Sequence, residues 1–368
     1  MSQHNNEPTS DEVLLQFSYK KLLIPLIIGI AAVAFFFFRD FDAEKLKAID
    51  WNSGSLFWFS IAALAMVVRH FCLMYRIRLL SNKVLNWQQA FELVSLWEFS
   101  SAVTPSTVGG TATSLYFLTK EGISAGKTTT IILVTVFLDG LFFTLAVCVL
   151  WLILGNNFIS TDIDIAETLL NGDTSTVGQG PSGWAYAFFV GFGLNIFYFV
   201  LVAYGLFVNP KSIQWFIVQL FKLPFIRRWK DVGEKAGADL LVASKGLKNQ
   251  SWEYWIGSFI STAGAWIIRL AIVNFVVLAV VYYGNQLMIF GRSLILYLVM
   301  VLGITPGSSG VAEFTFITIY RDFLQDGIAP AMALIWRIFT FYIFFPLGFI
   351  VLPRWIRRVY AKKVTVSN

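Results

Sequence analysis

The sequence predicts an all-α polytopic membrane protein with about six full spans, two re-entrant helical hairpins and a weak internal inverted repeat. Three observations predict it. Hydrophobic residues make up 57% of the 368 residues and charged ones only 14%, against about 25% charged in soluble domains. The apolar residues fall in long uncharged runs of the length a helix needs to cross about 30 Å of hydrocarbon. The charges between those runs segregate by sign, as the positive-inside rule requires.

The elements follow in chain order. Residues 1–18 are polar and read as a tail. The first span is expected at Leu22–Phe38, flanked by Lys20, Lys21 and Arg39, whose long side chains can reach the interface. The second is Ser55–Met74, followed by Arg76, Arg78 and Lys83. Thr128–Leu154, Trp184–Val208, Tyr254–Tyr282 and Ala329–Leu352 supply the remaining spans. No small-residue cleavage site follows the first run, so a removed signal peptide is not expected.

Loop charge sets the orientation. Segment 155–183 carries Asp162, Asp164, Glu167 and Asp173 and neither Lys nor Arg, and reads as outside. Segment 209–251 carries Lys211, Lys222, Arg227, Arg228, Lys230, Lys235, Lys245 and Lys248 and reads as cytoplasmic. It suits either a helix lying on the inner leaflet or a solvated linker. Residues 354–368 read as a basic cytoplasmic tail, which places both termini inside and leaves 19–353 as a single transmembrane unit.

Two regions do not fit plain spans. The region Trp87–Glu121 begins and ends beside cytoplasmic lysines, and its apolar halves are interrupted at Thr104-Pro105-Ser106-Thr107-Val108-Gly109-Gly110. The region Ile289–Phe323 starts outside and must end outside, with a break at Thr305-Pro306-Gly307-Ser308-Ser309-Gly310. Hairpins over 87–121 and 289–323, entering from opposite faces, satisfy this bookkeeping. The rival reading has the first halves crossing fully, with eight or more spans.

The two breaks resemble each other, and so do Glu121-Gly122-Ile123-Ser124 and Asp326-Gly327-Ile328-Ala329 downstream. Transporters often set their substrate site where discontinuous helices of inverted repeats meet. Pro interrupts the helical ladder and Gly permits close approach. The amides freed at such a break can hold a phosphate or carboxylate, or can be satisfied by Ser and Thr within the protein.

Five charges fall in apolar segments: Glu98, Asp139, Arg269, Glu313 and Arg337. Each costs roughly 2.5–3.5 kcal/mol there on insertion scales, so each needs a partner or a polar cavity. Asp139 could pair with Arg269 or Arg337, and a structural pair and a ligand path can coexist. Arg69 and Arg76 are expected merely to mark the helix emerging at the basic face. The candidate path is therefore Glu98, Thr104, Pro105, Gly109, Gly110, Asp139, Arg269, Thr305, Pro306, Gly307, Ser308, Ser309, Gly310, Glu313 and Arg337. No catalytic residue is assigned.

Other classes are weaker. Cys72 and Cys148 both lie in apolar runs, and the two histidines are His4 and His70, so neither a disulfide scaffold nor a metal site is expected. No cofactor is expected. The net charge of +6 is spread between apolar runs, which argues for a membrane face rather than nucleic acid. Gly126-Lys127-Thr128 lacks the earlier glycine of a phosphate-binding loop.

Ser101 to Gly110, followed by Tyr116-Phe117-Leu118 and Glu121-Gly122-Ile123-Ser124, forms one marker. Thr305-Pro306-Gly307-Ser308-Ser309-Gly310-Val311-Ala312-Glu313, leading to Trp336-Arg337, forms a second. Together these resemble the flippase-like family typified by the transmembrane region of lysylphosphatidylglycerol synthases, over roughly residues 20–350. The second marker is similar to that family's Pro-Gly-Gly-x-Gly-Val-x-Glu signature. Two departures stand out. Family members commonly have Gly-Glu after the first break, where this chain has Gly110-Thr111. They often have Arg three residues before the Asp that matches Asp139, where this chain has Val136. The resemblance implies an inner-membrane protein related to phospholipid flippases. Sixteen residues after the last span leave no room for the aminoacyl-transfer domain, so that activity is not expected. The leading expectation is translocation or binding of a phospholipid, or of another lipid-linked anionic substrate, with anionic headgroups as partners. The alternatives are a membrane scaffold, with a protein partner or a second copy left open, and, less favoured, an intramembrane lipid-modifying enzyme.

Overall fold

Helices in hydrocarbon form because each backbone amide must be satisfied within its own segment. A computed structural model gives that outcome throughout: among the described residues there are helices and turns and no strand. The structure describes residues 47, 51–104, 106–155, 159, 183–220, 238, 241–247, 250–281, 284–303, 305–324 and 327–366. The expected first span, Leu22–Phe38, lies outside them, as do Pro105, most of the acidic loop and the middle of the basic segment.

Helix α1 (Ser53–Leu80) is capped by Asn52, whose side chain accepts from the Gly54 and Ser55 amides. Helix α2 (Trp87–Val103) starts with a reciprocal capping box between Asn86 and Gln89. The chain then runs through α3 (Ser106–Lys120), α4 (Ala125–Leu154) and α5 (Gly183–Ala203), which ends in a π turn at Tyr204–Val208. The short α6 (Pro210–Leu220) follows. Helix α7 (Trp252–Leu278) is capped by Ser251, and α8 (Gln286–Met300) by Asn285. Next come α9 (Val311–Ile319), α10 (Ala329–Arg337), a π turn at Ile338–Tyr342 and α11 (Phe344–Val366). Among the described residues, five stretches are long and apolar enough to span: Ser53–Leu80, Gly126–Leu154, Ala185–Val208, Trp252–Leu278 and Ala329–Tyr360. They match the expected second to sixth spans.

The internal repeat extends well beyond the breaks. Helices α7, α8, α9 and α10 start about 200 residues after α1, α2, α3 and α4 respectively, in the same order. The equivalent helices α1 and α7 pack along their whole length and run antiparallel. The Ser55 hydroxyl, at the start of α1, donates to the Ala279 carbonyl just past the end of α7 at 2.6 Å. Trp58 stacks on Phe275. At the other end, Gly257 lies against Leu79 of α1. Antiparallel packing of equivalent helices is the relation an inverted repeat requires.

Each repeat contains a helix–break–helix pair whose arms pack on each other. Helix α2 has 17 residues and α8 has 15, or about 22–26 Å at 1.5 Å per residue, short of the hydrocarbon thickness. The breaks differ in construction. Helix already starts at Ser106, so Gly109 and Gly110 lie inside α3 rather than in the turn. Gly110 is there for proximity: a Cβ on it would sit 2.0 Å from the Ser101 hydroxyl of α2. The second break is a true turn. Gly307, Ser308 and Gly310 all take positive φ, at 58°, 54° and 90°.

Two separate apolar cores form. One gathers α2, α3, the first half of α4, the start of α7 and α11. The other gathers the second half of α4, α5, the second half of α7 and α8 to α10. On α4 the first core ends at Leu138 and the second begins at Phe142; on α7 the change falls between Ala265 and Leu270. Residues 354–366, expected as a tail, continue α11, because Trp355 and Ile356 are fully buried in the first core. In the basic segment, residues 241–247 are helical and place Val242 against Gly126 at the start of α4.

Candidate functional site

The seam between the two cores is where the intramembrane charges gather. Arg69 lies just past the middle of α1 and Arg269 just past the middle of α7. In the antiparallel pair they stand within about one helical turn of each other in height. Both guanidinium groups reach Glu98 of α2: Arg69 Nη2 donates to Oε1 at 2.6 Å and Arg269 Nη1 to Oε2 at 3.4 Å. Arg269 Nε also donates to the Tyr297 hydroxyl of α8 at 3.2 Å. Tyr297 stands at the position in α8 that Glu98 holds in α2, on the offset of about 200 residues between repeats. Arg69 with Glu98 and Arg269 with Tyr297 are thus repeat-related pairs. The two pairs differ in charge: two arginines share one carboxylate.

A second pair adjoins the first. Arg76 of α1 donates to Asp139 of α4 at 2.7 Å and to the Thr262 hydroxyl of α7 at 3.3 Å. The Trp266 indole also donates to Asp139, at 2.9 Å. Between the pairs lies a cavity of about 60 Å³, lined by Leu73, Arg76, Ile77, Val94, Trp97, Glu98 and Thr135. That is room for several water molecules. The arrangement can hold an anion: guanidinium groups in a place of low dielectric bind oxyanions through charge-assisted hydrogen bonds.

Glu313 and Arg337 form a separate pair at the second break. Arg337 Nε donates to Glu313 Oε1 at 2.6 Å, and its Nη2 donates to the Gly307 carbonyl at 3.0 Å. Glu313 Oε2 accepts the Gly310 amide at 2.6 Å. Both side chains are only 2% exposed. The pair therefore ties α10 to the second break and satisfies the amide freed at the start of α9. Thr305 donates to the Ser309 carbonyl, Ser308 to Met300 and Ser309 to Pro306, so the polar groups of this turn are spent on each other. At the first break, Thr104 donates to the Ser100 carbonyl.

The expected path residues thus separate into two groups. Glu98, Asp139 and Arg269 meet at the seam. Thr305, Pro306, Gly307, Ser308, Ser309, Gly310, Glu313 and Arg337 form the clamp of the second break. Thr104, Gly109 and Gly110 belong to the first hairpin, and Pro105 lies outside the described residues. Tyr297 links the two groups, since its ring meets both Trp266 and Trp336, the neighbour of Arg337. Two expectations are corrected. Asp139 pairs with Arg76, and with neither Arg269 nor Arg337. Arg69 and Arg76 do not simply mark an emerging helix end, because both turn inward to carboxylates on α2 and α4. The repeat register held a usable signal: Arg69 and Arg269 occupy matching places in matching helices.

Comparison with known proteins agrees with this architecture. The family described as the lysylphosphatidylglycerol synthase TM region matches residues 22–348. The chain is also similar to a UPF0104 membrane protein of Archaeoglobus fulgidus, at 21% identity over 333 residues, covering 87% of this chain and 92% of that one. No solved structure matches.

Proposed function

The chain belongs to the lysylphosphatidylglycerol synthase transmembrane-region family, and on that premise we propose that it binds and translocates a phospholipid, or another lipid-linked anionic substrate, across the cell membrane. One observation carries the reading: Arg69, Glu98, Arg269, Arg76 and Asp139 cluster at the seam between the two repeats. Charges at that depth are costly, and intramembrane clusters of this kind commonly mark a substrate route. In this reading the bacterial inner membrane holds the protein with both termini cytoplasmic, and the two hairpins enter from opposite faces. The headgroup passes along Glu98, Arg69, Arg76, Asp139 and Arg269, while the acyl chains stay in lipid.

The hairpins are the moving parts. A cavity of about 60 Å³ is smaller than a headgroup, so passage requires the α2–α3 hairpin to part from α1 and α4. Glu313 and Arg337 keep the second break rigid and act as positioning residues. The test is headgroup-resolved lipid movement in sealed proteoliposomes. Protein-dependent movement is expected, with loss of most of it in a folded R269M variant. Absence of movement across neutral, zwitterionic and anionic lipids would overturn the reading and favour a membrane scaffold.

A further inference from the structure

We infer that the seam is a binding site for one singly negative phosphate ester, and that Glu98 sets that charge. The inference rests on the proposed function and adds the substrate's charge to it. Among the described residues, the cluster holds three arginines, Arg69, Arg76 and Arg269, against two carboxylates, Glu98 and Asp139. Asp139 neutralises Arg76. Glu98 alone answers Arg69 and Arg269, which leaves one positive charge uncompensated. A buried charge without a counter-charge is strongly unfavourable, so the site is completed by one further negative charge.

Arg69, bonded to the cavity-lining Glu98, carries the unpaired donors. The side chain of Arg69 is only 5% exposed. Its Nη2 is taken by Glu98, while its Nε and Nη1 are buried and without an acceptor. Donors of that strength are rarely left unsatisfied in a native structure. The cavity beside Glu98 and Arg76 adjoins this cluster and gives an entering group a polar wall. A phosphodiester carries one negative charge and several acceptor oxygens, and it fits a guanidinium better than any neutral group. A dianionic monoester would leave the site with excess negative charge. A zwitterionic headgroup would bring a cation among three arginines. The same ester chemistry could arrive on a lipid or on a free glycerophosphodiester.

The test is binding to the purified full chain in detergent. The probes are dihexanoyl phosphatidylglycerol (one negative charge), dihexanoyl phosphatidylcholine (net neutral), dihexanoyl phosphatidic acid at pH 9 (two negative charges) and chain-free glycerophosphoglycerol. The singly charged lipid is expected to bind at least about tenfold more tightly than either other lipid. E98Q raises the net charge by one, and should shift preference towards the dianion by about tenfold. R69M should abolish binding of the singly charged lipid. E98Q is the deciding variant, because it reorders affinities rather than removing them, which a misfolded protein does not do. Equal binding of all three lipids, or an unchanged order in E98Q, overturns the inference, and lipid movement in proteoliposomes without charge preference does so while leaving translocation intact. Equal binding of glycerophosphoglycerol would keep the charge rule and overturn the lipid as the ligand.

Discussion

At the scale of single residues, the second break shows where local strain and local bonding balance. Ser308 holds a left-handed conformation at φ 54°, which costs an L-residue about 1–2 kcal/mol. It stands where the family signature that this chain resembles has glycine. Its hydroxyl donates to the Met300 carbonyl at 2.7 Å, a bond worth about 1 kcal/mol. S308A keeps the strain and loses the bond, so it should lower stability by about 1 kcal/mol. S308G loses both and should be close to neutral. Thermal unfolding of the purified variants checks this, and an S308G loss equal to that of S308A would show that the conformation is not a burden. The Glu313–Arg337 pair makes a larger claim. Removing one partner of a buried pair costs about 3–5 kcal/mol, while replacing both with apolar groups is often tolerated. R337A alone should therefore lose most folded protein in size-exclusion profiles, and E313L/R337M should recover much of it. If the double variant does no better than the single one, the pair is not a clamp. The charges themselves were legible in the sequence, because each interrupts an apolar run. Their partners were not, since pairing depends on how helices distant in sequence rotate towards each other. Arg69 and Arg76 misled for that reason: near a basic helix end, a solvated arginine and an inward-turned one read alike.

At the scale of elements, the two hairpins are stapled at their feet by different means. At the base of α2 and α3, Glu92 and Glu121 are both acidic, and Arg358 of α11 bridges them, donating from Nε to Glu92 at 2.9 Å and from Nη1 to Glu121 at 3.1 Å. Trp355 and Gln89 also donate to Glu121. In the second repeat, Arg292 of α8 spans to the far arm directly, pairing with Asp322 at 2.8 Å and donating to the Ile319 carbonyl at 2.6 Å. The first hairpin thus draws on a third helix as well as on its own Gln89, while Arg292 closes the second within its own arms. R358A should raise amide hydrogen exchange across residues 87–123 and leave 286–324 unchanged, and R292A should do the reverse. Exchange rising in both regions for either variant would mean that the hairpins open as one unit. The breaks were legible, because Pro and Gly interrupt the apolar runs. Their bounds were less so. The glycines at 109 and 110 read as a turn, yet both are helical, and Gly110 serves the approach of α3 to Ser101. Sequence shows that a position must be small; it does not show whether the reason is backbone conformation or a neighbour.

At the scale of the whole molecule, α1–α4 and α7–α10 are two similar units whose first helices, α1 and α7, pack antiparallel. The sequence carried this repeat only faintly, in a few break residues. Lipid accepts almost any apolar side chain, so equivalent spans can drift apart in sequence while their lengths and order remain. What persists is spacing: four elements recur in order at offsets of about 200 residues, and Arg69 of α1 has its counterpart in Arg269 of α7. Inversion follows from the antiparallel packing of α1 and α7, and it carries a prediction about sidedness. Val84, just before α2, is 67% exposed, and Gly284, just before α8, is exposed as well. In an inverted repeat these matching positions face opposite sides of the membrane. In a C72A/C148A background, V84C should react with a membrane-impermeant maleimide only from the cytoplasmic side, and G284C only from the outside. Labelling of both from one side would make the units parallel and put both hairpins on one face. The seam would then have access from only one side, and a headgroup could be bound there but not passed across. The arginine cluster can serve as a route only if the two hairpins open to opposite faces, so sidedness of these two positions decides between a carrier and a receptor for the same anion.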